Sequence, residues 1–493
     1  MERRWSKGMG NVMKTILISG VLLIGAGAVF LFWSAGNAQN SYEQSVAEVN
    51  NMGVFILETT AYDRELLSSA ATTVVSLNTG NPQLQTMVQS DPDFPWDEFQ
   101  LVLESDIQHL PDLFVADAPV FNIATRLDEQ DSRQAEWVRE IAELDALRLN
   151  TLVRMDGTAT VILEVDPISY QSEQDDSSIE WGGLSGTFDI SDELEHIKGD
   201  MRGSGLSAQA DSLLLEIGDL HYRLDGRFGS HDFYTGNQSL VIEGIRFSGP
   251  AGDAAEIQDM VVGRVAMRGE AREQDALLSV SSNVELIDIE VADQRVPRFQ
   301  IGMAVDNLPM EPLAELRDMM QKINSDPVDP IQNSGAMQPQ IIPAVRKVLT
   351  GQPRIRIEEL ALDTGAGELH GELDLQLLEL PPDMDVPPQF WLTALQGKAR
   401  VRVSEPLLIQ LATTGARAGL SSQYEAMGQE LPPDEEMNAA VDEMVRSQLE
   451  SLEIQGMLLR VGNSFRADLS LEEGELQVNG KSLQTLLSGG TGQ

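Results

Sequence analysis

Cysteine is absent from the 493-residue chain. That excludes disulfides, thiolate metal sites, a thiol nucleophile and an N-terminal lipoprotein anchor. Aromatic residues make up only 5%, so Leu, Val, Ile and Met must fill any interior. Positive charge is sparse: 34 Lys and Arg stand against 78 Asp and Glu, for a formal net charge of −44. Such a surface repels phosphate backbones and excludes nucleic-acid binding as a role. It reads as a solubility device rather than as an acidic binding site.

Motifs of catalysis are missing too. No GxSxG elbow, P-loop or GxGxxG fingerprint occurs. The five histidines, His109, His196, His221, His231 and His370, fall in no metal-ligand spacing. Paired acids such as Asp175-Asp176 and Glu435-Glu436 follow from the abundance of carboxylates, and the second pair suits the first turn of a helix. No catalytic, cofactor-binding or metal residue is assigned, no cofactor is expected, and the chain is expected not to be an enzyme.

One long apolar run is present. Thr15 to Trp33 is 19 residues without a charge, enough at ~1.5 Å per residue to cross a ~30 Å hydrocarbon layer. Arg3, Arg4, Lys7 and Lys14 precede it, which keeps the N-terminus cytoplasmic and exports the rest. A cleaved signal peptide is the rival, with a weak small-residue site at Gly36-Asn37-Ala38, but its apolar core is normally shorter. Gly20, Gly25 and Gly27 leave room for two anchors to pack as a homo-oligomer, although glycine is common in membrane helices.

Beyond the anchor, Asn40 to Asn51 reads as a polar stem and Ser90 to Trp96 as a loop. Val54 to Leu57 and Leu66 to Leu77 suggest a hairpin turned at Tyr62-Asp63-Arg64-Glu65. Tyr62, Arg64 and Ser68 are singled out there as a structural or functional turn. Asp156-Gly157 is a strong hairpin signal. Alternating pieces recur at Ile179–Ile190, Leu213–Leu224, Leu240–Phe247, Met260–Met267, Leu277–Val291 and Phe299–Val305, as expected of antiparallel strands with one buried face.

Leu313, Leu316, Met319, Met320 and Ile323 then fall at helical spacing, and Asn324 to Gln340 reads as a linker. A short helix is expected at 341–349. Strands flank Thr364–Gly367, a proline cluster covers 381–388, and a strand covers 398–404. Two helices follow, one starting near Pro406 and one capped by Asp434. The chain closes in a hairpin turned at Glu473-Gly474.

The expected fold is α+β and β-dominated: an N-terminal transmembrane helix, then a large twisted antiparallel sheet with a few helices packed on it. The expected division is a cytoplasmic tail (1–14), the span (15–33), a periplasmic β-rich region (34–325), a linker or loop (326–340) and a periplasmic α+β region (341–493).

Four segments resemble the YdgA-like family of bacterial inner-membrane proteins, a family described only as a domain of unknown function. They are Ala61–Ser69, Gly236-Asn237-Gln238-Ser239-Leu240, Leu349–Ile357 and Gly474–Gly480. Glu65 replaces the glycine of the first element, and a His-Gly-Pro element survives only as His109-Leu110-Pro111. The resemblance implies a bacterial inner-membrane location with the bulk in the periplasm, and it implies no chemistry. The expected role is that of a non-enzymatic envelope protein holding lipid or another apolar ligand. The alternative is a periplasmic scaffold that assembles a partner envelope protein. An unrecognised hydrolase has only the plentiful acids behind it.

Overall fold

The computed structural model describes the chain from Phe55 to Ser488, apart from internal stretches of which the longest are 79–99, 110–118, 128–146, 250–258, 326–342 and 379–392. The anchor, the stem, the 90–96 loop, the linker and the proline cluster therefore lie outside the described residues. The chain divides into two compact units, one of residues 1–270 and 314–341, the other of 271–313 and 342–493. Antiparallel strands dominate both.

In the first unit, β1 (Phe55–Arg64), β2 (Ser68–Leu77), β3 (Gln100–His109), β4 (Pro119–Leu127), β5 (Leu147–Arg154) and β6 (Ala159–Val165) each pair antiparallel with the strand before. The Thr- and Val-rich sequence of β2 suits a half-buried pleated surface. One sheet face is buried, with Val75, Ile107, Leu149, Val161 and Leu163 in its core. Hydroxyls share that face, and the buried Ser105 and Thr125 satisfy each other at 2.8 Å across β3 and β4. Asp156 and Gly157 form the expected turn between β5 and β6, with Gly157 at φ 82°.

The following strands come in broken pairs: β7 (Ile168–Gln171), β8 (Ser178–Trp181), β9 (Leu184–Ile190), β10 (Ile197–Gly203), β11 (Leu206–Ala210), β12 (Leu213–Ile217), β13 (Leu220–Phe228), β14 (Tyr234–Ile242), β15 (Ile245–Ser248) and the long β16 (Met260–Gln274). One leaf runs β6–β9–β10–β13–β14, the other β7–β8–β11–β12–β15–β16. The breaks are Asp166-Pro167, Gly182-Gly183, Ser204-Gly205, Gly218-Asp219 and Glu243-Gly244. They lie side by side. Gly182 N–H donates to the Gly205 carbonyl at 2.9 Å, Ser204 N–H to Gly183 at 2.9 Å, Gly218 N–H to Gly244 at 2.8 Å and Glu243 N–H to Asp219 at 2.8 Å.

These breaks make a crease across the sheet. The apolar face of one leaf ends at Val165, Leu184, Gly203, Leu220 and Ile242. That of the other begins at Ile168, Trp181, Leu206, Ile217 and Ile245, three residues away in every strand rather than two. One extra residue per strand is the signature of a β-bulge, which bends a strand and increases its twist. Ile168 and Trp181 pack with the buried Leu163, Val165 and Leu184, so the apolar faces of the two leaves join. The Ile179–Ile190 and Leu240–Phe247 segments, expected as single strands, are thus each divided. The period-2 pattern hides the division because both halves alternate.

In the second unit, β17 (Leu277–Val291), β18 (Gln294–Pro309), β19 (Arg354–Thr364), β20 (Gly367–Leu377), β21 (Leu395–Ser404), β23 (Ser464–Glu472) and β24 (Glu475–Val478) pair in that order, all antiparallel. The short β22 (Leu459–Val461) and β25 (Lys481–Ser482) add to the ends of β23 and β24. Helix α1 (Met310–Ser325) starts in this unit and belongs to the first from Ala314 on, and the second unit also carries α2 (343–349), α3 (Glu405–Ala426), α4 (Asp434–Gln455) and α5 (Leu483–Ser488).

α3 and α4 form a helical hairpin. Met437, Val441 and Val445 of α4 are buried against Ala412, Ala416 and Leu420 of α3. Near the start of α3, Leu407 and Leu408 join Val403 and Phe465 of the sheet. The expectation that these helices pack on the sheet holds for the start of α3, while the buried stripe of α4 packs on α3 instead. Pro433, not Asp434, occupies the cap position of α4, and no side chain caps it. Asp434 instead opens the first turn beside Glu435 and Glu436, where acids suit the helix dipole, and pairs with Arg417 of α3. Met320, expected on a buried stripe of α1, is 42% exposed, whereas Met310 and Ala314 are buried.

Candidate functional site

The turn expected at Tyr62–Glu65 is corrected, because β1 continues through Arg64. A bulge at Thr60 shifts the register, so that Tyr62 pairs with Ala71 and Arg64 with Ser69. Ala71 and Ser69 are buried, and Tyr62 is half-buried. Ser68, paired with Gln108, holds the neighbouring register position and belongs to the opposite face. Only the backbone of Arg64 is described. Tyr62 and Ser68 therefore lie on opposite faces of the sheet.

The other singled-out segments are elbows of the backbone. Gly236, at φ 136°, pairs with Gly226 across β13 and β14. A Cβ on Gly226 would lie 2.1 Å from the Tyr234 hydroxyl, so the tyrosine ring occupies the space of the missing side chain. Burial, helped by Tyr222 and Asp225, pushes the Tyr234 phenol up to about 12. In Leu349–Ile357, Gln352 has φ 56° and a Cβ on Gly351 would meet the Asn307 carbonyl at 2.4 Å. The segment launches β19 against the end of β18. In the last segment, Asn479 receives the Asp468 N–H at 2.9 Å and donates to the Gly456 and Met457 carbonyls at 2.9 and 3.0 Å. It ties the terminal hairpin to the end of α4.

Three of the histidines lie beside an acid, His370 meeting Glu368 at 3.5 Å. His221 meets Asp200 at 2.8 Å and His196 meets Asp225 at 2.8 Å. His221, followed by Arg223 and Arg202, holds the Asp200 carboxyl down at about 2. No group of three metal-ligating side chains occurs among the described residues.

Among the described residues, one face of the second unit's sheet carries a partly exposed apolar surface. Its register places apolar side chains in rows across the strands. One row is Met303, Ile357, Leu373, Ala399, Leu469 and Val478. The next is Val284, Ile301, Leu360, Gly371, Val401 and Ala467. Val280, Val305, Ile355 and Leu375 form a third. Exposure is 39% at Val280, 45% at Met303, 46% at Ile355 and 37% at Val401. Seven strands at ~4.8 Å and three rows along them cover on the order of 500 Å², the upper range of apolar patches on soluble monomers. Sequence alternation displays these residues. It does not reveal that the helical hairpin turns its apolar stripe inward on itself.

The reverse face is charged. Arg354 binds Asp374 with both arms, Arg356 meets Asp306 at 2.9 Å, and Arg400 meets Glu372 at 2.8 Å and Asp468 at 2.9 Å. The Arg354 guanidinium holds Asp374 below the usual carboxylate range, and the Arg466 guanidinium does the same for Asp468. The sheet thus has one face solvated by ion pairs and one whose apolar residues remain partly open.

The described residues define a β-dominated protein of antiparallel sheet with few helices. The chain belongs to the family described as bacterial protein of unknown function (DUF945), whose model matches residues 12–485. No curated protein and no solved structure is significantly similar to it. No helix among the described residues is long and apolar enough to cross a membrane, which says nothing of strands.

Proposed function

We propose that the chain is a non-enzymatic bacterial envelope protein, held in the inner membrane by Thr15–Trp33, whose periplasmic bulk holds a lipid acyl chain on the apolar face of β17–β24. The finer resemblance to YdgA-like inner-membrane proteins and the basic residues before the apolar run support the location. The partly exposed row-and-column array of Val280, Met303, Ile355 and Val401 carries the ligand reading. An apolar face of this size is costly in water, and each methylene laid against it contributes about 0.8 kcal/mol. An anchor in the bilayer keeps the sheet beside a supply of such chains.

Native mass spectrometry of the exported region, produced without detergent, tests the reading. Bound lipid masses released by denaturation are expected. A clean apo mass would count against it. Alkaline phosphatase fused after residue 60 tests the location separately and is expected to be active; an inactive fusion reverses the topology.

Assembly of a partner envelope protein is the second reading. Exposed apolar residues of the helical hairpin favour it, with Ile409 at 41%, Leu411 at 48% and Ile454 at 78%. Crosslinking that enriches one stable partner, together with lipid-free protein, would favour this role over the first.

A further inference from the structure

The charged face of the second unit holds a concentration of cations that the chain as a whole does not. Lys398, Arg400 and Arg402 alternate along β21 and so share one sheet face. In register, Lys398 lies between Asp374 and Ser470, Arg400 between Glu372 and Asp468, and Arg402 between His370 and Arg466. Arg400 is neutralised on both sides. Lys398 and Arg402 make no hydrogen bond or ion pair among the described residues.

Arg402 is the more unusual of the two. Its cross-strand neighbour Arg466 carries the same charge, an arrangement that destabilises a sheet, and Arg466 turns away to Asp468. Nothing forces an unpaired arginine into that position in a chain with 78 acids and 34 bases. Lys398 borders a cleft of about 510 Å³ whose walls include Arg354, Arg356 and Arg400. The four acids of that cleft are engaged: Asp374 by Arg354, Glu358 by Arg356, Asp468 by Arg400 and Arg466, and Glu372 by Arg400. Lys398 acts on Asp374 through its charge alone, without a hydrogen bond or ion pair among the described residues, and it stands roughly 14 Å from Arg402 along the strand, at ~3.4 Å per residue.

We propose that Lys398 and Arg402 of β21, with the adjoining cleft, bind phosphate-bearing anions. Charge complementarity selects the occupant. An ammonium and a guanidinium on one strand suit two phosphates, or one extended polyphosphate, and the guanidinium fork matches phosphate oxygens. This site lies on the sheet face opposite the apolar one and stands whether or not that face holds lipid.

Full-length protein in neutral detergent micelles is titrated with tripolyphosphate in low-salt buffer by calorimetry. Saturable binding is expected, weakening as salt rises. The double variant K398Q/R402Q is expected to bind at least tenfold more weakly, with an unchanged circular dichroism spectrum because both side chains are exposed. K398R is expected to retain binding. Flotation of the exported region with phosphatidylglycerol vesicles, against phosphatidylcholine vesicles, separates the sources. Selective flotation identifies a lipid head group, and tripolyphosphate binding without flotation identifies a soluble anion. No binding to either probe, equal affinity in the double variant, or a stronger affinity for polyglutamate than for both phosphate probes would overturn the proposal.

Discussion

At Gly226 and Tyr234 a missing side chain and a large one fit together. The Tyr234 ring fills the place of a Gly226 Cβ and meets Phe228 edge-on at 6.2 Å. Its hydroxyl is buried without a hydrogen-bond partner among the described residues. Gly226→Ala is expected to destabilise by about 1–3 kcal/mol through overpacking, read as a lower urea midpoint. Tyr234→Phe is expected to be neutral or to stabilise by about 1 kcal/mol, because it removes an unsatisfied buried group. A large loss in Tyr234→Phe would show that the hydroxyl has a partner. Asp200 supplies a pH test. Its folded value of about 2 lies below the ordinary 3.8. The stabilisation is therefore complete above pH ~4 and lost as pH falls through ~2. Asp200→Asn should lower stability at pH 7 and match the parent near pH 2; a constant difference across that range contradicts the ion pair. None of this was legible in the sequence, where His221 and Asp200 are twenty-one positions apart and Gly226 is one glycine among many.

The elements were more legible than their junctions. The Asp156-Gly157 and Glu473-Gly474 turns, the β1–β2 hairpin and the paired helices α3 and α4 follow from turn chemistry and helical spacing. The crease does not, because each half-strand alternates correctly and only the three-residue step between halves betrays the bulge. Its glycines give it away in three dimensions: Gly183 has φ 94°, and a Cβ there would lie 2.5 Å from the Val165 carbonyl. At Gly205 a Cβ would meet only the Ile217 carbonyl at 3.5 Å. Gly183→Ala should therefore cost about 1–3 kcal/mol, while Gly205→Ala should lie within ~0.5 kcal/mol of the parent. Equal thermal midpoints for the two variants would remove the crease as a constrained element. The candidate turn at Tyr62, Arg64 and Ser68 was misplaced for a related reason. A bulge at Thr60 carries β1 on to Arg64, past the break in its alternation.

For the whole molecule, composition limits function more than it specifies it. A chain without cysteine, poor in aromatics and strongly acidic must build its interior from aliphatic strands, and long aliphatic strands leave an apolar face that something must cover. In the second unit the helical hairpin buries its stripe on itself, so Met303, Ile355 and Val401 stay partly open. Met303→Asp is expected to leave the circular dichroism spectrum unchanged and to reduce lipid recovered with the protein several-fold; undiminished recovery would place the lipid elsewhere. The most direct measurement is photocrosslinking in cells fed a diazirine-bearing fatty acid, with adducts mapped by peptide mass spectrometry. Adducts clustered on β17–β23 at residues such as Met303, Ile355 and Val401 are expected. Adducts confined to Thr15–Trp33 would show that the sheet meets no acyl chain.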